Sequence, residues 1–195
     1  MSHPSVIVLA SASPRRRQLL EMLGIPHVVD PSDVPEDAEP GESAEQVAVR
    51  LAREKVLQVE ARHPGARVLG ADTVVVVGSR LLGKPDSAAN AMRMLAELSG
   101  REHRVVTAVA LAHNGEVAQR HDVTRVWFRP LAQELIAAYV ATGEPMDKAG
   151  AYGVQGYGAV LVERIEGDFF GVMGLPVRLV VELLERSGMA YRFTR

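Results

Sequence analysis

Asp72 stands in the stretch Leu-Gly-Ala-Asp-Thr-Val-Val-Val-Val, where its neighbours predict burial. A buried carboxylate is costly unless it is paired or binds a metal. The residue alone leaves two readings open. Asp72 caps a turn at a strand end with Thr73, or it is a general base or metal ligand at the mouth of a sheet. Taken as a lone buried charge, it strains the fold, so its replacement by Asn is expected to hold or raise the melting temperature. A second candidate is the turn Ser11-Ala-Ser-Pro-Arg15-Arg16. It offers two hydroxyls, a helix start and adjacent guanidinium groups. Helix N-termini bind anions through their open N–H groups and dipole, and Arg adds bidentate phosphate contacts. The same residues also describe a capped surface helix with solvated arginines. A third is Asp147-Lys-Ala-Gly-Ala-Tyr-Gly-Val-Gln155-Gly. Its side-chain amide both donates and accepts, which suits the edge of a base. The alternative is an ordinary Gly-rich connection. Lys55, Lys84 and Glu36 read singly as solvated charges. Taken together, Arg15, Arg16, Lys55 and Lys84 supply cations for phosphate, and Asp72 and Glu36 supply carboxylates for a divalent cation. Phosphoryl chemistry needs charge neutralisation, an oriented nucleophile and little else.

Other chemistries lack their residues. There is no H-E-x-x-H, no G-x-S-x-G and no G-x-G-x-x-G. The six histidines, at 3, 27, 63, 103, 113 and 121, show no ligand spacing. Gly78-Ser-Arg-Leu-Leu-Gly83-Lys84 imitates a phosphate loop, but that loop next needs a Ser or Thr hydroxyl for magnesium. Here Pro85 follows, with neither hydroxyl nor N–H. A tight turn is the expectation there.

Strands and helices must position these groups. Val6–Ala10 reads as a buried strand. Ser13 at the N-cap and Pro14 at the first helical position open a helix through Leu19, Leu20 and Leu23, and Gly24 stops it. Ile25–Asp30 is a second short strand. Residues 31–41 hold three prolines and four acids, which predicts a loop. Ser43 and Gln46 form a capping box for a helix to about Glu60, with Val47, Leu51, Ala52, Val56 and Val59 inward. Val68–Val77 is the strongest strand signal. Asp86 or Ser87 caps a helix whose apolar side is read as Ala88, Ala91, Met92, Leu95 and Leu98. Val105–Ala112 and Val117–Phe128 flank Asn114-Gly115, a hairpin signal. A helix follows over Leu131 to Thr142, then the Gly-rich stretch, a strand over Ala159–Ile165 and a final helix over Leu175–Ser187. This alternation implies an α/β fold with a mixed sheet flanked by helices.

The 195 residues, 47% of them hydrophobic, suffice for one domain with its own core. The net charge of −2 lacks the basic surplus of a nucleic-acid binder. The absence of cysteine excludes disulfides, thiolate metal sites and Cys nucleophiles. The opening residues carry no basic run before the short Val6–Ala10 stretch, so no signal peptide is expected. No apolar run approaches the ~20 residues of a membrane helix. A soluble, intracellular protein is expected.

Six spaced blocks carry a resemblance: LASASPRRRQLL, ESAEQVAVRLAREK, LGADTVVVV, GKP before a helix ending in LSG, DKAGAYGVQG and VMGLP. They run in order from Leu9 to Pro176, and the chain resembles the Maf family of nucleoside triphosphate pyrophosphatases. Within it, Arg15 after Ser-Pro, Thr73 after the aspartate and Gln155 in the late loop are similar to the dTTP/UTP pyrophosphatase branch. Val154 and Met173 are small apolar departures from the family pattern, and Arg17 carries no assigned role. The resemblance implies a single domain over residues 1–195, with two lobes around a central cleft and a fold related to inosine-triphosphate pyrophosphatase. It implies hydrolysis of dTTP and UTP to the monophosphate and pyrophosphate, with house-cleaning of non-standard pyrimidine nucleotides. It also implies Mg2+ or Mn2+ as cofactor, a cytoplasmic homodimer, and no nucleic-acid or membrane partner. Asp72 resembles the proton acceptor, with Glu36 and Asp72 as metal-holding acids. Ser11, Arg15, Arg16, Lys55 and Lys84 resemble phosphate contacts. Arg15, Thr73 and Gln155 resemble the base-selecting set. Maf proteins are also associated with septum formation, so a nucleotide-binding regulator of division with little turnover is the second reading.

Overall fold

The first apolar run becomes β1 (Ile7–Leu9), and it pairs in parallel on both sides, with β2 (His27–Val29) and with β3 (Arg67–Val77). Parallel neighbours need crossovers. These are α1 (Pro14–Met22) between β1 and β2, and α2 (Ala44–Glu60) between β2 and β3. A strand covered on both faces has no polar side to show, and β1 is an unbroken apolar run at no more than 4% exposure. The computed structural model describes residues 6–193. Residues 1–5, with His3 and the leader reading that rests on them, lie outside the described residues.

The described residues divide into two compact units. The first runs to Asp72, takes in Thr107–Asp122 and resumes at Gly174. Its core sets Ile7, Leu9, Leu19 and Leu20 with Val47, Leu51, Val56 and Val59 of α2. The capping box at Ser43 and Gln46 forms in both directions. Ser13 stands at the N-cap of α1 without a side-chain bond to the helix.

The second unit comprises Thr73–Val106 and Val123–Met173. The imitation phosphate loop proves to be a hairpin. Arg80–Leu82 forms a strand, β4, antiparallel to β3 with Val77 opposite Arg80. The sequence reading missed β4 because three residues are too few to show a period. Ser87 caps α3 (Ala88–Leu98). Met92 and Ala88 are exposed, and Met94 takes the inward place with Ala91, Leu95 and Leu98. Ala91, Leu95 and Leu98 keep their inward places, so the buried stripe rotates only slightly. Long strands β5 (Glu102–His113) and β6 (Glu116–Phe128) follow. Both turn residues between them, Asn114 (φ 54°) and Gly115 (φ 80°), are left-handed, as a two-residue hairpin turn requires. After α4 (Gln133–Ala141) the chain makes three 3-10 turns. The last, Tyr157–Leu161, occupies the start of the expected strand, so β7 is only Val162–Glu166 and pairs antiparallel with β6. A short α5 (Phe169–Met173), absent from the sequence reading, precedes α6 (Val177–Arg186). The strand order is β2-β1-β3-β5-β6-β7, with β4 on β3, a seven-stranded mixed sheet. Among the described residues no helix is long and apolar enough to cross a membrane.

Candidate active site

Gly70 and Asp72 are two apart in β3 and therefore face the same way. A Cβ on Gly70 would lie 2.7 Å from Val56 Cγ1 and 3.2 Å from the Ala52 carbonyl oxygen. Only glycine lets α2 come this close to the strand. The closeness places Lys55, next to Val56, against Asp72. The Lys55 ammonium donates to Asp72 Oδ1 at 2.7 Å and to Glu36 Oε1 at 2.7 Å. Lys55 and Asp72 are 5% and 6% exposed, while the Glu36 side chain is 42% exposed. Asp72 is thus no lone charge, which removes the premise on which neutralising it was expected to hold or raise stability. Lys55 is no solvated charge either. It lies on the buried stripe of α2 and needs its carboxylate partners there.

Glu36 belongs to the acidic proline loop, which α2 and the residues just after it tie down along its length. Asp30 accepts from Arg62 Nε and Nη2 at 3.0 and 2.9 Å and contacts His63 Nε2 at 2.7 Å. The Asp33 amide donates to Gln58 Oε1 at 3.0 Å. Arg50 grips Glu42 with two bonds of 2.7 Å and donates to the Asp37 carbonyl at 3.0 Å. The Arg50 fork and the Glu39 amide hold the Glu42 carboxyl down at about 2. Sequence reasoning missed Arg50 and Glu42. Their signal was an Arg eight residues after an acid across a helix start, too common to stand out.

At the start of α1 the structure brings Ser11 and Arg16 together. Arg16 Nη1 donates to Ser11 Oγ at 3.0 Å, and the Ser13 amide reaches the same oxygen at 3.3 Å. Arg16 Nε donates to the Gly174 carbonyl at 2.9 Å. Burial lowers the pKa of Arg16, the fields of Asp72 and Glu36 oppose that, and neighbouring Arg15 adds to it. These fields place Arg15, Arg16, Glu36 and Asp72 in one electrostatic neighbourhood. It combines cations, a helix start and a buried carboxylate.

Thr73, Lys84 and Gln155 belong to the second unit. Thr73 is partly buried in β3, Lys84 is exposed after β4, and Gln155 is exposed in the turn between two 3-10 segments. The Gly-rich loop is folded around a residue that the sequence did not single out. Glu144 accepts from the Tyr157 amide at 2.8 Å, the Gly158 amide at 3.0 Å and the Tyr139 hydroxyl at 2.9 Å. The expected charge pair is present, since Lys148 Nζ donates to Asp147 Oδ1 and also to the Glu144 carbonyl.

Among the described residues no group of three or more His, Cys, Asp or Glu is placed to hold a metal ion. Glu36 and Asp72 converge on one ammonium and offer two carboxylates. Mg2+ commonly takes one or two from a protein, with waters and substrate phosphates completing its shell. The donor set therefore fits a substrate-bound divalent cation better than a closed protein cage.

A mixed α/β sheet with this topology falls among the Ham1-like folds. The Staphylococcus aureus Ham1 protein superposes with a TM-score of 0.51 at 15% identity, covering 94% of this chain and all of that one (100%). A Ham1 protein from Coxiella burnetii gives 0.50 at 18% identity, over 93% of this chain and 99% of that one. The profile of the Maf-like proteins matches residues 6–187, and the chain belongs to that family. A dTTP/UTP pyrophosphatase of Moorella thermoacetica is 53% identical over 95% of this chain and 96% of its own. One from Symbiobacterium thermophilum is 50% identical over 93% and 94%.

Proposed function

We propose that the chain hydrolyses dTTP and UTP to the nucleoside monophosphate and pyrophosphate, with water attacking the α-phosphorus. The observation that carries this reading is the buried Asp72 carboxylate, held 2.7 Å from the Lys55 ammonium beside an arginine-bearing helix start, in a family whose relatives are named dTTP/UTP pyrophosphatases. Asp72 accepts the proton of the attacking water as its oxygen bonds to the α-phosphorus. The bond from that phosphorus to the bridging oxygen breaks, and pyrophosphate leaves. Lys55 fixes the carboxylate in place through its 2.7 Å hydrogen bond. Ser11, Arg15, Arg16, Lys55 and Lys84 contact the phosphates, and Arg15, Thr73 and Gln155 select the base. Glu36 and Asp72 would hold a Mg2+ or Mn2+ ion, which when bound neutralises phosphate charge. Cytoplasmic residence, a homodimer and a single domain over residues 1–195 complete the reading and rest on the family resemblance.

Incubation with each nucleoside triphosphate and Mg2+, followed by product analysis, tests it. Monophosphate and pyrophosphate from dTTP and UTP are expected. Diphosphate and orthophosphate as first products would sink the assignment of the cleaved bond. Preference for GTP or 7-methyl-GTP would sink the base assignment. Tight nucleotide binding without turnover would return the chain to the regulatory reading.

A further inference from the structure

We propose that Glu144 is a positioning residue for base selection, its carboxylate folding residues 153–158 into the turn that presents Gln155. This rests on the reading of Gln155 as a base-selecting residue. Glu144 and Tyr139 together collect backbone N–H groups on both sides of Gln155. Before it, the Gly153 amide donates to the Tyr139 hydroxyl at 3.1 Å. After it, the Tyr157 and Gly158 amides donate to the two Glu144 oxygens at 2.8 and 3.0 Å. The Tyr139 hydroxyl closes the ring by donating to Glu144 at 2.9 Å.

The glycines of the loop follow from this wrapping. A Cβ at Gly156 would sit 2.3 Å from Glu144 Oε2, and one at Gly158 would sit 2.7 Å from the Tyr139 hydroxyl oxygen. The backbone lies close to Glu144 itself, and that closeness explains why side chains are excluded. Burial pushes the Glu144 carboxyl up, but the amides of Gly158 and Tyr157 and the Tyr139 hydroxyl outweigh it and keep the group below its ordinary value. An ionised acceptor makes bonds roughly twice as strong as a neutral one. Gln155 itself is exposed at the crest of the turn, while the loop under it is pinned. An amide side chain reads a base edge only if its backbone is fixed, because a free turn spends the hydrogen-bond energy on ordering itself.

The test measures kcat/KM for dTTP, UTP and GTP in wild type, Glu144→Gln, Gln155→Ala and the double variant. Glu144→Gln keeps the shape but turns an NH2 toward backbone donors. It is expected to cut the preference for dTTP over GTP on the order of tenfold, as loss of a positioned hydrogen bond does. The loss should appear in KM for dTTP more than in kcat. In the Gln155→Ala background the same change should cost no further preference, because both act through one contact. Equal losses toward all three nucleotides, with the preference intact, would overturn the proposal and leave Glu144 a loop-folding residue. An unchanged preference in Gln155→Ala alone would overturn the base reading underneath it. Should Glu144→Gln fail to fold, Tyr139→Phe removes only the hydroxyl that holds Gly153, and a smaller loss of the same kind is expected. An unchanged preference there would count against the proposal.

Discussion

Lys55 changes what Asp72 means. A carboxylate alone in an apolar run strains the fold, but one that accepts from a buried ammonium supports it. Asp72→Asn keeps the size of the side chain and removes charge and basicity. General-base catalysis is typically worth about 10²–10⁴-fold, so turnover should fall at least roughly a hundredfold. Stability should fall as well. Breaking a buried pair costs about 3–5 kcal/mol when the other charge is stranded, and the retained Glu36 contact should hold the loss below that range. Urea midpoints and turnover measured together check both parts. A variant as stable as wild type would mean that the Lys55 contact carries no net energy. Near-normal turnover would remove Asp72 from the chemistry. Binding of a non-hydrolysable dTTP analogue then separates two roles. Unchanged affinity fits a base, and weakened affinity restored by added Mg2+ fits a metal ligand.

Elements carry the geometry that single residues use. The approach of α2 to β3 at Gly70 sets the Lys55–Asp72 distance. Gly70→Ala would bring a Cβ to 2.7 Å of Val56 Cγ1 and 3.2 Å of the Ala52 carbonyl. Overpacking of this kind typically costs about 1–3 kcal/mol. The helix must shift away from the strand, so activity should drop more than the stability loss explains. Comparing specific activity of the folded protein with its urea midpoint checks this. Full activity in a folded Gly70→Ala protein would show that the helix-to-strand spacing does not matter. Much of this frame was legible. Six of the helices and strands announce themselves through Pro14, the Ser43–Gln46 box, Ser87, Asn114-Gly115 and the four-valine run of β3. The site was legible only in part. Lys55 lies on the same helical stripe as Ala52, Val56 and Val59, and a charge there signals a buried partner. Its partners are 17 and 19 residues away in sequence, and no local period predicts such a pairing. Glu144 was hidden for the same reason, since its backbone partners begin 13 residues later. The short β4, the 3-10 turns and α5 escaped because they are held by tertiary contacts and are too short to show periodicity.

The whole molecule should register pH through His103. Its ring is 2% exposed, edge-on to Phe128 and Tyr152, with Nε2 at 2.8 Å from the Tyr152 hydroxyl. Burial lowers its pKa from 6.5 to about 4, only partly offset by the Glu102 charge and the Arg101 backbone. The folded protein therefore keeps the ring neutral where the unfolded chain protonates it. Stability from this group is fully present above pH 6.5 and is lost as pH falls toward about 4. A shift of this size corresponds to about 3 kcal/mol at most. The carboxyls of Asp30, Glu42, Glu102 and Glu144 are also held below their ordinary values in the fold. They lose their contribution at still lower pH, in the same direction, so acid destabilisation should be continuous with its first part belonging to His103. His103→Gln keeps an acceptor for the Tyr152 hydroxyl and removes the titration. Between pH 6.5 and 4.5 its urea midpoint should fall clearly less than that of wild type, while His121→Gln, at an exposed site, should follow wild type. Parallel midpoint curves for wild type and His103→Gln would show that the ring is not the group through which the fold senses mild acid.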